Sequence, residues 1–395
     1  MNYTFSDRIG SLQPSAIREI LKYSSIKGFI SLSAGNPAPE AFPTEAIAEI
    51  SADIFKNHPI DALQYSVTEG YTPLRDHLKE YMRKKNSVGT DDDELIITSG
   101  AQQVMELSAK ALCNEGDTVI CEDPSFIGSL NAFRSYGLRL CGVAMEENGI
   151  SVEKLEQALK TEKNVRFIYT IPNFQNPTGA TMSLEKRREV YRLAKQYGVM
   201  IVEDNPYGDI RFAGEDLPSI KSFDTDGIVI YAGSFSKVLS PGMRVGFTVA
   251  PKPVVSKLVV CKQVSDVHTN IWSQIVAHEF MTKYDYEAHL ENNRRIYKHK
   301  AELMMQLIDS ELSDFVTYTP VEGGLFIWCR IKNDADMNEF CADAARNSVG
   351  IVPGNAFAAD ESQKSCSFRL NYSTPTDDDM TAGIKILHDI SRKYL

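Results

Sequence analysis

The 395-residue sequence lacks the signals of several protein classes. Its seven cysteines form no Cys-x-x-Cys pair and are odd in number, so a disulfide framework is not expected and a cytoplasmic location is favoured. No apolar run of about 18 residues occurs, and no basic segment followed by an apolar stretch opens the chain. We therefore expect neither a membrane-spanning helix nor an export signal.

Positive charge is also scarce. Lysine and arginine total 42 against 53 acidic residues, which gives a net charge of −11 and an isoelectric point near 5.3. Neither nucleic acid nor an anionic membrane is expected as a partner, because the chain carries no net positive field.

The histidines form no His-Glu-x-x-His motif, and Gly-x-Ser-x-Gly and Gly-x-x-x-x-Gly-Lys are missing. No metal site is expected.

What the sequence does contain, between about residues 95 and 250, is an alternation of short apolar runs with helical patterns. The apolar runs cover 95–98, 118–121, 138–143, 165–170, 200–202, 228–232 and 245–249. Between them, Leu184 to Tyr197 has apolar residues three to four apart, which predicts a helix. The alternation is typical of an α/β fold, with a mostly parallel seven-stranded sheet sandwiched by helices.

The pattern changes towards the C-terminus. We predict one long helix over 271–312, then strands over 316–318, 325–328 and 368–370 between further helices. Three parts follow from this: an N-terminal segment, 1–45, that packs on the small domain or a neighbouring subunit, a large domain, 46–290, and a smaller α+β domain, 291–395.

Polar residues collect where four of the predicted strands end. They are Ser99 to Gln102, Asn173 with Asn176, Asp204 with Tyr207, and Ser234 with Ser236 and Lys237. Ligands of doubly wound sheets bind at the carboxyl ends of the strands. One shared pocket is therefore expected.

The turn at Ser99–Gln102 has two interpretations. A glycine-bearing turn into a helix offers free backbone N–H groups and the positive end of the helix dipole, which suits a phosphate. An ordinary helix cap would have the same composition. Ser234, Ser236 and Arg244 favour the phosphate, because hydroxyls and a guanidinium are typical phosphate ligands.

Lys237 and Asp204 likewise each have an ordinary interpretation, as a surface lysine and a hydrogen-bonded cap. Partial burial of Lys237 near Arg244 would instead leave a nucleophilic amine. A carboxylate at the end of an apolar strand needs a cationic or hydrogen-bonding partner. Together with a phosphate cradle, these residues make the set that pyridoxal 5′-phosphate requires.

These residues resemble the motifs of the fold type I pyridoxal-phosphate aminotransferases, most closely the subgroup of kynurenine/2-aminoadipate and aromatic amino acid aminotransferases. The matching segments are 14–21, 31–43, 64–66 with Gly70, 98–103, 172–179, 203–208, 234–244, 323–326 and 369–372. The resemblance implies a transaminase that moves an amino group from an L-amino acid, aromatic or 2-aminoadipate-like, to a 2-oxo acid such as 2-oxoglutarate by a ping-pong mechanism.

The resemblance also implies roles for residues. Lys237 would bind the cofactor as an imine and shuttle the α-proton, and Asp204 would pair with the pyridinium nitrogen. Asn176 and Tyr207 would hydrogen-bond the phenolic oxygen of the ring, and Arg369 would take the substrate α-carboxylate. The further expected site residues are Gly100, Ala101 and Gln102 at the phosphate, Phe126 stacked on the ring, and Gly35 and Asn36 at the substrate mouth.

Two expected contacts concern residues near the N-terminus. By the resemblance, Tyr65 reaches the phosphate of the partner subunit, which implies a homodimer with shared sites. Arg18 is either a clamp for a distal carboxylate or an exposed helix arginine. Three positions depart from common family residues: Phe126 replaces tyrosine, Ala101 replaces serine, and Asn36 replaces glycine.

Other functions remain open at this stage. A pyridoxal-phosphate lyase or an aminocyclopropane-forming enzyme would need the same lysine, aspartate and arginine, although the subgroup resemblance favours transamination. A ligand-sensing regulator with an aminotransferase-like body is the non-enzyme alternative. It would need a basic DNA-binding head, and no such head precedes Pro14.

Overall fold

The computed structural model describes residues 3–10, 12 and 28–395. The strands are β1 (Ile30–Ser31), β2 (Asp93–Thr98), β3 (Thr118–Asp123), β4 (Arg139–Glu146), β5 (Gly149–Ile150), β6 (Val165–Thr170), β7 (Met200–Asn205), β8 (Val229–Ser234), β9 (Gly246–Pro251), β10 (Val316–Tyr318), β11 (Phe326–Ile331), β12 (Val349–Gly350), β13 (Val352–Pro353) and β14 (Ser367–Asn371).

The helices separate most of these strands. They are α1 (Asp7–Gly10), α2 (Thr44–Asn57), α3 (Pro59–Leu63), α4 (Thr72–Asn86), α5 (Ala101–Leu112), α6 (Ile127–Ser135), α7 (Val152–Thr161), α8 (Leu184–Tyr197), α9 (Lys252–Gln263), α10 (Ile271–Lys283), α11 (Tyr286–Glu311), α12 (Met337–Arg346) and α13 (Asp377–Ser391). Within the described part of the chain, no helix combines the length and the apolarity needed to cross a bilayer.

The largest sheet has eight strands in the order β2-β9-β8-β7-β6-β3-β4-β5. Neighbours from β8 through β4 run parallel, whereas β9 is antiparallel to both β2 and β8. The prediction of a mostly parallel sheet is confirmed. The count of seven strands is corrected to eight, because the two-residue strand β5 folds back on β4 and is too short to leave a periodic pattern.

Burial on both faces explains why these strands are continuous apolar runs in the sequence. In β7, for example, Ile201, Val202, Glu203 and Asp204 are all buried. Parallel strands covered by helices on both sides lose the alternation of apolar and polar residues. Glu203 and Asp204 are therefore unusual, because they place carboxyl groups in a buried layer of otherwise apolar side chains.

Two helix predictions have different outcomes. Helix α8 has the predicted bounds: the Ser183 side chain accepts the Lys186 N–H at its start, and Gly198 ends it in the left-handed conformation. The predicted long helix over 271–312 is wrong, because it is two helices. Tyr284 is extended, and the Asp285 side chain caps α11 by accepting the Ala288 N–H.

A second sheet forms the other side of the site. It has four antiparallel strands in the order β10-β11-β14-β13, and α13 packs against α11 beside it. The short strand β1 pairs in parallel with β12, and the Asn371 N–H at the end of β14 donates to the Leu32 carbonyl. Residues 30–32 are therefore held against the C-terminal part of the chain.

Candidate active site

A cavity of about 350 Å³ lies at the carboxyl ends of the central strands, facing the second sheet. The predicted site residues that line it are Gly35, Asn36, Ala101, Gln102, Phe126, Asn176, Asp204, Tyr207, Ser234, Ser236, Lys237, Arg244 and Arg369. They come from the ends of five strands of one sheet, from the turn before β9, from one strand of the other sheet, and from the segment after β1. The structure thus brings most of the predicted set into a single cavity.

Lys237 opens into this cavity after the turn that follows β8. Its Nζ donates to the Gly35 carbonyl over 2.8 Å, and no carboxylate of the described chain lies within ion-pair distance. Burial lowers the pKa of Lys237 to about 8, and the positive charges of Arg369 and Arg244 act in the same direction. A large fraction of this amine is therefore neutral and nucleophilic in mildly alkaline solution.

Asp204 is buried at the end of β7. Its Oδ2 accepts a hydrogen bond from the Tyr169 hydroxyl over 3.0 Å, whereas Oδ1 has no hydrogen-bond partner among the described residues. Burial raises the pKa of Asp204 to about 7, and the Tyr169 hydrogen bond opposes that rise. A buried carboxylate oxygen without a partner is suited to a cationic N–H donor such as a protonated pyridine.

Arg369 reaches the cavity from β14 of the second sheet. Its Nη1 donates to Asn176 Oδ1 over 2.8 Å, and its Nη2 donates to the Ser33 carbonyl over 2.6 Å. The guanidinium carbon lies 4.1 Å from the Phe326 ring centre and 4.8 Å from that of Phe357. Burial lowers the pKa of Arg369 to about 9. This cation is suited to a planar carboxylate.

The turn before α5 forms a cradle with Arg244. Gly100 has φ +77° and ψ 168°, and a Cβ built on it would lie 2.5 Å from Arg244 Nη2. Arg244 also donates to the Ser99 carbonyl over 3.2 Å and lies 3.5 Å from Ser236 Oγ. The helix N-terminus, a hydroxyl and a guanidinium therefore converge, which is the arrangement that binds a phosphate.

A buried polar cluster supports the cradle from behind. Lys262, fully buried on α9, donates to both carboxylate oxygens of Asp266 and to the side chains of Gln103 and Thr269. Asp266 in turn accepts the Ser99 hydroxyl over 2.6 Å. The turn that begins the cradle is therefore tied to α9 and to the loop that follows it.

Asn176, Tyr207 and Phe126 surround the remaining space. The Asn176 amide lies 3.5 Å from the Tyr207 hydroxyl, and burial raises the pKa of that phenol above its ordinary value. Phe126 directly precedes α6, where the Gln102 side chain donates to the Gly128 carbonyl over 2.8 Å. A flat ring bounded by Phe126 on one side would meet these polar groups at its edge.

Two predicted residues among those described do not line the cavity, and a third is outside the described part of the chain. Gly100 lies against the Arg244 side chain, and the guanidinium can come this close to the backbone because glycine has no Cβ. Tyr65 is 82% exposed, with its ring edge-on to His268 at 5.9 Å, outside the cavity of its own chain. Arg18 lies outside the described residues, so the structure says nothing about it.

Sequence reasoning missed several residues at the site. Ser129, Ile171, Pro206 and Pro241 also line the cavity. Phe326, which lies in the matching segment 323–326, lines it as well. Ser129 had a signal, because it lies three residues after Phe126 in a helix and so faces the same way.

A larger groove of about 720 Å³ lies between residues 211–216 and α11. Its positively charged side chains do not point to one common binding position. Arg211 pairs with Asp216 and Glu322, and Arg294 pairs with Glu291. The smaller cavity, where buried charged groups have hydrogen-bond partners but no ion-pair partner of opposite charge among the described residues, is therefore the candidate active site.

The residues of this cavity fit pyridoxal 5′-phosphate. The cradle at Gly100 and Arg244 suits its phosphate, the free oxygen of Asp204 suits its pyridine nitrogen, and the Lys237 amine suits its aldehyde. Each of these matches rests on a different part of the fold, so they support the assignment independently.

Comparisons with known proteins agree with this chemistry. The family described as aminotransferase class I and II matches residues 27–387. Aromatic-amino-acid aminotransferase 1 of Thermococcus litoralis is 37% identical over 395 residues, which cover 99% of this chain and 94% of that protein.

Two solved structures are similar over nearly their whole length. The kynurenine aminotransferase of Pyrococcus horikoshii, solved in complex with PMP, has a TM-score of 0.95 at 35% identity and covers 99% of this chain and 97% of its own. The alpha-aminoadipate aminotransferase of Thermus thermophilus, complexed with N-(5′-phosphopyridoxyl)-L-leucine, has a TM-score of 0.90 at 37% identity, with coverages of 98% and 97%. The chain belongs to the aminotransferase class I and II family.

Proposed function

We propose that this protein is a pyridoxal-phosphate-dependent transaminase that moves the amino group of an L-amino acid to a 2-oxo acid in two half-reactions. The observation that carries the proposal is the pairing, in one cavity, of a lysine amine without a carboxylate partner and a buried carboxylate oxygen without a donor. When bound, the cofactor supplies an electron sink for the charge that develops at the substrate Cα.

The residues of the chain then have separate tasks. Asp204 holds a proton at the pyridine nitrogen, and Lys237 Nζ takes the proton from Cα and returns it. Arg369 binds the α-carboxylate and so turns the reacting C–H bond towards Lys237. Asn176 and Tyr207 would hydrogen-bond the phenolic oxygen of the bound cofactor. Phe126 would pack on its ring and keep water from that face.

The substrate class follows from the relatives and from the cavity. The similar proteins named above act on aromatic amino acids, kynurenine and alpha-aminoadipate. In this chain Asn36 and Phe326 line the same cavity as Arg369. We propose aromatic or 2-aminoadipate-like amino donors with 2-oxoglutarate or a similar acceptor.

Borohydride reduction followed by peptide mapping tests the cofactor assignment. The pyridoxyl label should be on Lys237, and Lys237→Ala should lose both the label and roughly 10²–10⁴-fold or more in rate, since proton transfer is lost. Lys257→Ala, a change at an exposed lysine, is the matched control and should keep both. A label on another lysine would refute the assignment.

A second assay separates transamination from an ammonia-releasing lyase and from a regulator. The purified enzyme is mixed with each of the twenty amino acids, and the absorbance of the cofactor and the release of ammonia are followed. A transaminase passes the amino group to an added 2-oxo acid without free ammonia, whereas a lyase releases ammonia. A regulator would bind the cofactor but would catalyse neither amino-group transfer nor ammonia release.

We further propose a homodimer in which Tyr65 serves the phosphate of the partner subunit. Exposed apolar side chains support this, Leu63 and Val67 beside Tyr65 in the sequence and Val264 and Val267 just before His268, which contacts the Tyr65 ring. A C₂ dimer would bury both copies of this surface.

The test is complementation between two inactive variants. Tyr65→Ala and Lys237→Ala homodimers are refolded together. A hybrid then has one intact site if Tyr65 acts across the interface, so activity should return to at most half the wild-type value per dimer. No recovery would mean that Tyr65 acts within its own chain.

Two broader assignments remain proposals. The division into parts 1–45, 46–290 and 291–395 is supported by the two separate sheets and by the pairing of β1 with β12. A cytoplasmic location is supported by the seven cysteines, all of which are free thiols.

A further inference from the structure

The Asp204 carboxylate accepts a hydrogen bond from Tyr169, a residue that has no role in the proposed chemistry. Tyr169 lies on β6 and is fully buried, and its hydroxyl donates to Asp204 Oδ2 over 3.0 Å. The other oxygen, Oδ1, is buried without a hydrogen-bond partner among the described residues. One oxygen is thus fixed from behind, and the second remains for a group in the cavity.

The position of the Tyr169 hydroxyl is set by the sheet. Tyr169 pairs with Val202 in β7, and residues 202 and 204 lie on the same face of that strand. The Tyr169 ring also packs edge-on against Phe133, with ring centres 5.3 Å apart. The hydroxyl therefore meets the carboxylate from a framework with little freedom to move.

The titratable groups around this pair make their hydrogen bonds elsewhere. Burial raises the pKa of Glu122, Tyr207 and Tyr231, and the negative charge of Asp204 acts on each in the same direction. The Glu122 carboxylate accepts hydrogen bonds from Thr170 at the end of β6 and from the segment that follows it. The hydroxyls of Tyr207 and Tyr231 each lie beside an asparagine amide. Within the described chain, Tyr169 is therefore the residue that donates to Asp204.

We propose that Tyr169 is a positioning residue, which orients the Asp204 carboxylate and sets how strongly it leaves the proton on the cofactor's pyridine nitrogen. The inference rests on the proposed function, because it takes Asp204 to face that nitrogen. A phenol that donates to a carboxylate stabilises the ionised form and makes it a weaker base. Without Tyr169, the shared proton moves from the nitrogen towards Asp204.

The expected size of the effect follows from the hydrogen bond that is removed. Loss of a hydrogen bond to a charged group, worth about 1.5–3 kcal/mol, changes the proton-sharing equilibrium roughly 10- to 100-fold. Tyr169→Phe deletes the hydroxyl and keeps the buried ring. Tyr231→Phe makes the same change in the same sheet at a hydroxyl that lies 2.8 Å from the Asn205 amide, so it is the matched control.

The readout is the ¹⁵N resonance of the pyridine nitrogen in holoenzyme loaded with ¹⁵N-labelled pyridoxal phosphate. Tyr169→Phe should move the resonance towards the value of unprotonated pyridine, and Tyr231→Phe should leave it at the wild-type position. Site-specific 3-fluorotyrosine at position 169, a more acidic donor that keeps the ring, should move it the opposite way. This variant decides the question if Tyr169→Phe does not fold.

Asp204→Asn separates failure of this inference from failure of the proposed function. A moved resonance in Asp204→Asn, together with unchanged resonances in both Tyr169 variants, refutes the positioning role and leaves the function intact. An unchanged resonance in Asp204→Asn, or no attachment of the cofactor to Lys237, refutes the proposed function itself. A purely structural Tyr169 would lower the unfolding temperature without moving the nitrogen resonance.

Discussion

Replacing Gly100 by alanine should weaken binding of the cofactor phosphate in a protein that still folds. With φ +77° and ψ 168°, Gly100 lies in a region that is essentially restricted to glycine, where another residue is strained by about 1–3 kcal/mol. The new Cβ would also lie 2.5 Å from Arg244 Nη2 and 2.9 Å from Arg244 Cζ. The backbone strain and the displacement of Arg244 are separate effects, and they can be measured separately.

The loss of affinity follows from Arg244. A hydrogen bond to a charged group contributes about 1.5–3 kcal/mol, so moving the guanidinium away should weaken cofactor binding roughly 10- to 100-fold. The assay is titration of the apoprotein with pyridoxal phosphate, followed by absorbance, with thermal unfolding of the same samples. The unfolding temperature reports the strain, and the dissociation constant reports the cradle.

Two comparisons make this prediction refutable. Gly242→Ala is the matched control, because its Cβ would lie 3.7 Å from the nearest atom, in ordinary contact, and it should bind like the wild type. In an Arg244→Ala background, Gly100→Ala should add little further loss, since its effect passes through the same side chain. Binding of the Gly100→Ala variant within about twofold of wild type would refute the reasoning.

Three further predictions follow. Covalent attachment of pyridoxal phosphate should accelerate as pH rises through about 8, where the Lys237 amine loses its proton. Arg369→Ala should move the midpoint of this pH dependence upward, because one nearby positive charge is gone. Stopped-flow absorbance measures the attachment rate in both proteins, and a wild-type midpoint near 10.5 would contradict the prediction. Arg369→Ala should weaken substrate binding by about 2–5 kcal/mol, measured as kcat/KM, and a change within about twofold would exclude Arg369 as the carboxylate ligand. Lys221→Met should lower the free energy of unfolding by about 3–5 kcal/mol in chemical denaturation, because Asp93 and Asp224 would lose their buried cation. Lys160→Met removes one partner of an exposed ion pair and should leave the denaturation midpoint unchanged.

Local signals in the sequence were enough where they specified one geometry. The bounds of α8 could be predicted because Ser183 and Gly198 are typical cap residues on either side of an amphipathic pattern. The break between α10 and α11 also had a signal, the capping Asp285, but apolar residues continue on both sides and suggest one helix. Periodicity alone does not locate such a break.

Strand direction was harder to predict than strand position. The apolar run that became β9 gives no direction, although residues 235–245 contain no helix long enough for a parallel crossover. For the site, residues at strand ends could be predicted because topology gathers them. Tyr169 could not, because a buried tyrosine inside an apolar run looks like core until its hydroxyl partner is known.

The guanidinium of Arg369, which donates to two neutral acceptors and contacts two aromatic rings, has a consequence for selectivity. Within the described chain no carboxylate neutralises it, and removal from water destabilises the charged form. A molecule that brings a negative charge relieves this penalty, whereas an amine without a carboxyl group of similar size and shape does not. If Arg369 binds the substrate carboxylate as proposed, decarboxylated amines should be rejected because they bring no negative charge to this guanidinium, whatever the fit of their side chains.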